Sequence, residues 1–171
     1  MKKYDGKLRV VYKNMVVHDH AMKGHIAGCA ASKQGKFNEF RHAWWEKAWT
    51  AYAQARGDKS KLGDETIDDI AKDIHLDMAK FKADEASPEC QARIQTDMQE
   101  LAKWHVNSTP SFFINGQHFG WNGDPDAFKQ IIDEKLSAAQ SSGVPCDKFY
   151  EKKVMEEGEK KFRSMRDPKP S

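Results

Sequence analysis

Residues Val106 to Trp121 read VNSTPSFFINGQHFGW. Ser111 to Ile114 is a short apolar run of aromatic and β-branched character, the composition of a buried strand. Asn115-Gly116 supplies both left-handed centres of a tight hairpin turn. Gln117 to Trp121 returns as a second strand, with His118 and Gly120 alternating against Phe119 and Trp121. Thr109-Pro110 stands ahead of the first strand, where proline removes no ladder hydrogen bond. The residues alone leave the isomer of that bond open.

Both flanks of the hairpin read as helices. Upstream, Ser87-Pro88-Glu89 places a hydroxyl cap before a proline at the first helical position. Cys90, Ile94, Met98 and Leu101 then form a buried stripe that runs to about His105. Downstream, Asp124-Pro125 repeats the start signal, and Phe128, Ile131, Ile132 and Leu136 line an inner face. Further back, Leu8 to Tyr12 (LRVVY) reads as a strand, and Met15-Val-Val continues extended. Residues from about Ala21 to Arg56 are helical, broken at Gln34-Gly35, with Phe37, Phe40, Trp44, Ala48 and Tyr52 on one side of the second helix. Lys59 to Gly63 reads as a solvated loop. Ile67, Ile70, Ala71 and Ile74 mark a third helix, and Asp77 caps a short one with Phe81 facing inward. The tail from Gly143 has the charge of a surface helix or a partly disordered segment.

Composition bounds the function. The 171 residues suit one domain, with room for an insertion, and 28 basic against 26 acidic residues leave a net charge of +2. That balance calls for neither nucleic acid nor an anionic membrane surface. No apolar run is long enough to cross a membrane, and Met1-Lys-Lys leads into no apolar signal segment. Cys29, Cys90 and Cys146 are far apart and odd in number, so their spacing gives neither a disulfide framework nor a redox dithiol. On these features alone the chain reads as cytoplasmic. Cys29 sits on an apolar helix face among alanines and reads as packing. Cys90, at the third position of a helix, could be a reactive thiolate, but it falls on the inner stripe. Cys146 is open to adventitious oxidation. His18, His20 and His25 invite a zinc reading, but nothing fixes the convergence of ligands zinc needs, and a solvated junction is the better account. The aromatic cluster Phe37, Phe40, Trp44, Trp45 and Trp49 could line a groove; its helical spacing favours core packing with one Trp left exposed. Tyr12, Asn14 and Gln117 offer no defensible chemistry. No metal ligand, cofactor or catalytic residue is assigned.

TPSFFING between its two helices resembles the cis-proline hairpin of thioredoxin-fold proteins, most closely that of the DsbA-like thiol-disulfide oxidoreductases of bacteria. VVYKNMVVH is similar to the family strand that follows the active-site helix, and AASKQGKFNEFRHAWW to its helical insertion. SPECQARIQTDMQELAKWHV is similar to the helix leading into the proline loop, and GVPCDKFYEKKVMEEG is a further family-like stretch. Ser108 stands where relatives often carry glycine. The resemblance implies an α/β, thioredoxin-like fold with a helical insertion, missing the first strand and helix of the core. The domain would span 1–142 with the insertion at about 21–84, and 143–171 would be a charged tail. Met1 to Gly6 would be the last turn of the active-site helix. A cis Thr109-Pro110 bond is expected, with Thr109 and Pro110 as the loop that meets extended, cysteine-containing polypeptides.

The family's chemistry needs a Cys-x-x-Cys, and this sequence has none. The expectation is therefore a truncated oxidoreductase domain, inactive alone. A redox-inactive, thioredoxin-like peptide-binding module is the alternative. The resemblance implies periplasmic or secreted residence, the charge balance implies no nucleic-acid or membrane partner, and the missing strand would leave an open sheet edge as a route to self-association.

Overall fold

Apolar spacing and helix start signals set most of the elements in a computed structural model of the chain, which describes residues 2–4, 6–121 and 123–158. By packing, the chain falls into a helical unit, Tyr12–Glu100, and a hairpin unit made of the residues up to Val11 and those from Leu101.

In the helical unit, α1 (Met22–Lys33) ends where Gly35 takes φ 72°, a conformation that glycine adopts without strain. α2 (Phe37–Ala43) continues through a π-helical segment, Trp44–Trp49, into α3 (Thr50–Gln54). Arg56 and Gly57, with φ 53° and 88°, end the run at the expected stop signal. α4 (Asp64–Asp73) buries Ile67, Ile70 and Ala71. α5 (Met78–Ala86) is capped by Asp77, whose side chain accepts from the Lys80 amide at 3.1 Å. α6 (Pro88–Lys103) starts where Ser87 Oγ accepts from the Glu89 amide at 3.2 Å. The core gathers Phe40, Leu62, Ile67, Ile70 and Phe81 against the small face of α1, Ala27, Ala30 and Ala31. That face has to be small: a Cβ on Gly24 would stand 2.5 Å from the Trp44 ring. Trp44 and Trp49 pack on the core while Trp45 stays 51 % exposed. The aromatic cluster is thus mostly core, with one Trp outside.

Three expectations need correction here. Lys59–Leu62 is a 3-10 helix, and Leu62 is 2 % exposed, so the charged residues around it disguised a core side chain. Cys29 and Cys90 are joined by a disulfide with Cα atoms 5.7 Å apart. Spacing could not reveal a pair separated by 61 residues, because the fold rather than the chain brings them together. Leu8–Tyr12 and Met15–Val17 form no strand: among the described residues the sheet has two strands, and a β-prone run without a ladder partner has nothing to hold it in register. Tyr12 instead packs on Phe37, ring centres 5.2 Å apart, beneath the Arg41 guanidinium at 5.4 Å.

In the hairpin unit, β1 (Phe112–Ile114) and β2 (Gln117–Phe119) pair antiparallel with Phe112 opposite Phe119, Phe113 opposite His118 and Ile114 opposite Gln117. The second strand ends two residues short of Trp121. Asn115 and Gly116 take φ 49° and 78°, as the turn signal requires. α7 (Pro125–Ser141) is capped by Asp124, which accepts from the Asp126 amide at 2.9 Å. Its apolar stripe is half-buried, and none of its residues is fully buried. A short helix, α8 (Cys146–Phe149), runs on as a π-helical segment, Tyr150–Glu156. The expected disorder or helix of the tail beyond residue 158 lies outside the described residues.

Candidate functional site

The site begins where α6 unwinds. His105 takes φ 56°, and the amides of His105 and Val106 return to the carbonyls of Ala102 and Leu101 at 3.0 and 2.9 Å. These bonds satisfy the helix end and bury Val106, which anchors the loop. Asn107 to Pro110 then lie exposed. The Thr109-Pro110 bond is cis, as the resemblance implies. Ser111 Oγ donates to the Ser108 carbonyl at 2.6 Å, closing the loop just ahead of β1.

Aromatic rings hold the hairpin on α7. Phe128 meets Phe112 at 5.0 Å, Phe119 at 5.3 Å and Trp121 at 6.3 Å between ring centres, all edge-on. Trp121 Nε1 donates to the Asp124 carbonyl at 3.2 Å. On the turn side, a Cβ on Gly116 would stand 2.9 Å from the Val154 carbonyl oxygen. The hairpin is therefore pinned at both ends, and Thr109 and Pro110 project from a fixed base. The loop contains hydroxyls and amides but no thiol, and it offers a backbone surface rather than a reacting group.

The cysteines stand elsewhere. Cys29 and Cys90 are 8 % and 0 % exposed within the helical unit, and Cys146 is a free, exposed thiol. Among the described residues, no group of three His, Cys, Asp or Glu converges as metal ligands. The His18 and His20 rings instead stack at 5.2 Å.

A polar cluster in the helical unit has no counterpart in the sequence reading. Asp97 of α6 is 5 % exposed. Its Oδ2 accepts from the Asn14 amide at 2.9 Å and from Asn14 Nδ2 at 2.7 Å, and its Oδ1 accepts from Lys13 Nζ at 3.0 Å. Burial pushes the Asp97 carboxyl up, but the Asn14 and Lys13 hydrogen bonds outweigh it and hold the group below the usual carboxylate range. Asn14 Oδ1 faces His25 Nδ1 at 3.0 Å. Because the Asn14 amide nitrogen is committed to Asp97, its oxygen accepts, and neutral His25 carries its proton on Nδ1. Burial lowers the His25 pKa. One signal could have exposed this cluster. Asp97 falls on the stripe of Cys90 and Ile94, where a charge needs a partner.

The chain belongs to the thioredoxin family: residues 1–134 match the family model described as thioredoxin. With this the fold is a thioredoxin-like domain that is mostly helical, with a small two-stranded sheet. Among curated proteins, the chain is 25 % identical over 138 residues to a Na(+)/H(+) antiporter, NhaA, of Herminiimonas arsenicoxydans. The match covers 81 % of this chain and 20 % of the antiporter, so the chain spans about a fifth of the length of that relative. No solved structure matches. Among the described residues no helix is long and apolar enough to cross a membrane.

Proposed function

We propose that the chain is a DsbA-like thiol-disulfide oxidoreductase domain whose Thr109-Pro110 loop receives extended, cysteine-containing polypeptides, and which performs no dithiol exchange by itself. The observation that carries this reading is the exposed loop on a pinned hairpin, in a chain of the thioredoxin family. An extended peptide can lie along such a loop and hydrogen-bond to its backbone. The redox half of the proposal rests on the cysteines. Two are buried in a disulfide, and Cys146 has no second thiol in a shared motif. Periplasmic or secreted residence belongs to the same proposal, supported by a buried disulfide of the kind that persists in oxidising compartments.

The alternative, a redox-inactive peptide-binding module, shares the loop and lacks the chemistry. One experiment separates them. An extended cysteine-containing peptide is titrated into the labelled chain, and insulin reduction is assayed for the chain and for a fusion carrying a strand and Cys-x-x-Cys helix ahead of Met1. The expected result is amide shifts at Asn107, Ser108, Thr109 and Ser111, affinity lost by about tenfold or more in Thr109→Trp, equivalent to about 1.4 kcal/mol, and activity in the fusion alone. Binding with an inactive fusion favours the module. Absence of binding at Thr109 and Pro110 removes both.

A further inference from the structure

We infer that the Cys29–Cys90 disulfide is a structural cross-link, installed by thiol–disulfide exchange before the helical unit closes and inert to exchange once it has closed. Residues 12–100 then reach full stability only in an oxidising compartment. This inference is independent of what the Thr109-Pro110 loop binds.

Three observations carry it. First, both cysteines are interior, on α1 among Ala27, Ala30 and Ala31 and on the inner stripe of α6. Exchange requires a thiolate to approach a sulfur directly, and such an approach is blocked in the closed unit. Second, the cross-link encloses the whole of α2 to α5, because its ends are 61 residues apart. A loop of that size removes a large share of the freedom of the unfolded chain. Third, the remaining cysteine, Cys146, is exposed and free, so burial and not composition separates the paired thiols from the unpaired one.

The step balances as follows. One thiolate of the open chain attacks a disulfide-bearing oxidant, either a small-molecule or a protein disulfide, and releases one thiolate of that oxidant. The second cysteine, deprotonated, attacks the mixed disulfide and releases the other. Two thiols of the chain lose two electrons and two protons in total, and the two sulfurs of the oxidant take them up and leave as thiols.

The test uses the full chain exported to the bacterial periplasm. It is labelled with a maleimide after incubation with dithiothreitol, either in buffer or in urea, and each labelled cysteine is located by mass spectrometry. Expected are labelling at Cys146 alone in the native state, even with reductant, and labelling at all three cysteines when urea and reductant act together. The double variant Cys29→Ala/Cys90→Ala should unfold roughly 10 °C or more below the parent. Three native labels without reductant would overturn the inference. So would native reduction as fast as reduction in urea, or an unchanged midpoint in the double variant. If the variant does not fold, the labelling of the parent chain still decides.

Discussion

On the inner face of α6 one position of the buried stripe is a carboxylate. Asp97 satisfies two donors of Asn14 and one of Lys13, and each would lose its acceptor if the side chain were removed. The half-buried Asn14 donors are the costly ones, since a donor left without a partner forfeits about 1–3 kcal/mol when fully buried and less where water can reach it. Lys13 is largely solvated and adds little. Asp97→Ala should therefore destabilise the helical unit by about 1–2 kcal/mol in urea unfolding, against less than about 1 kcal/mol for Lys13→Ala. The pH dependence has a definite sign. A carboxyl held below its ordinary value contributes stability that is complete above about pH 3.9 and is lost as pH falls through the folded value. The acid limb of the stability curve should flatten in Asp97→Ala. An unchanged limb would show that the carboxylate contributes nothing at that site.

At the scale of elements, the turn of the hairpin separates two costs that usually arrive together. Gly116 has φ 78° and a Cβ there would crowd the Val154 carbonyl at 2.9 Å. Gly35 has φ 72° and open space around it. Both alanine variants meet the backbone strain of the left-handed region, about 1 kcal/mol, but only Gly116→Ala must also move the Tyr150–Glu156 segment. Thermal unfolding should show the larger loss for Gly116→Ala, and equal losses would remove the packing account. The same elements show what a sequence can reveal. Asp77, Ser87 and Asp124 were readable as caps because a cap is chemistry within three residues of its own amides. Asn115-Gly116 was readable because the turn needs left-handed centres. Leu8–Tyr12 misled, since strand character is only potential until a partner supplies a ladder. The Cys29–Cys90 pairing and the identity of the Asp97 partner were illegible for the same reason: both join residues 61 or more positions apart, and although the α6 stripe shows that Asp97 needs a partner, no local pattern says which residue it is. Thr109 and Pro110 were singled out through the resemblance of the hairpin that follows them, not through any chemistry of their own.

Across the whole molecule, burial is uneven. The helical unit encloses Phe40, Leu62, Ile67, Ile70, Phe81 and Ile94 and carries the disulfide. In the hairpin unit the strands are three residues long and α7 buries no residue fully. Local stability follows buried apolar area, so the two units should open separately. Hydrogen exchange of the full chain should show the strongest protection in α1, α4, α5 and the first part of α6. Protection should be markedly weaker in β1, β2 and α7. Equal protection throughout would mean a single cooperative unit.

The clamp at Lys13 has one more consequence. Lys13 Nζ lies 2.6 Å from Glu100 Oε2, so the side chain of the second residue of the helical unit is tied to that of its last. A segment held together near both of its ends can be closed on itself across a short gap. Residues 12–100, closed with a few glycines, should therefore fold as a ring, and unfolding of that excised unit at a much lower temperature than in the full chain would count against it.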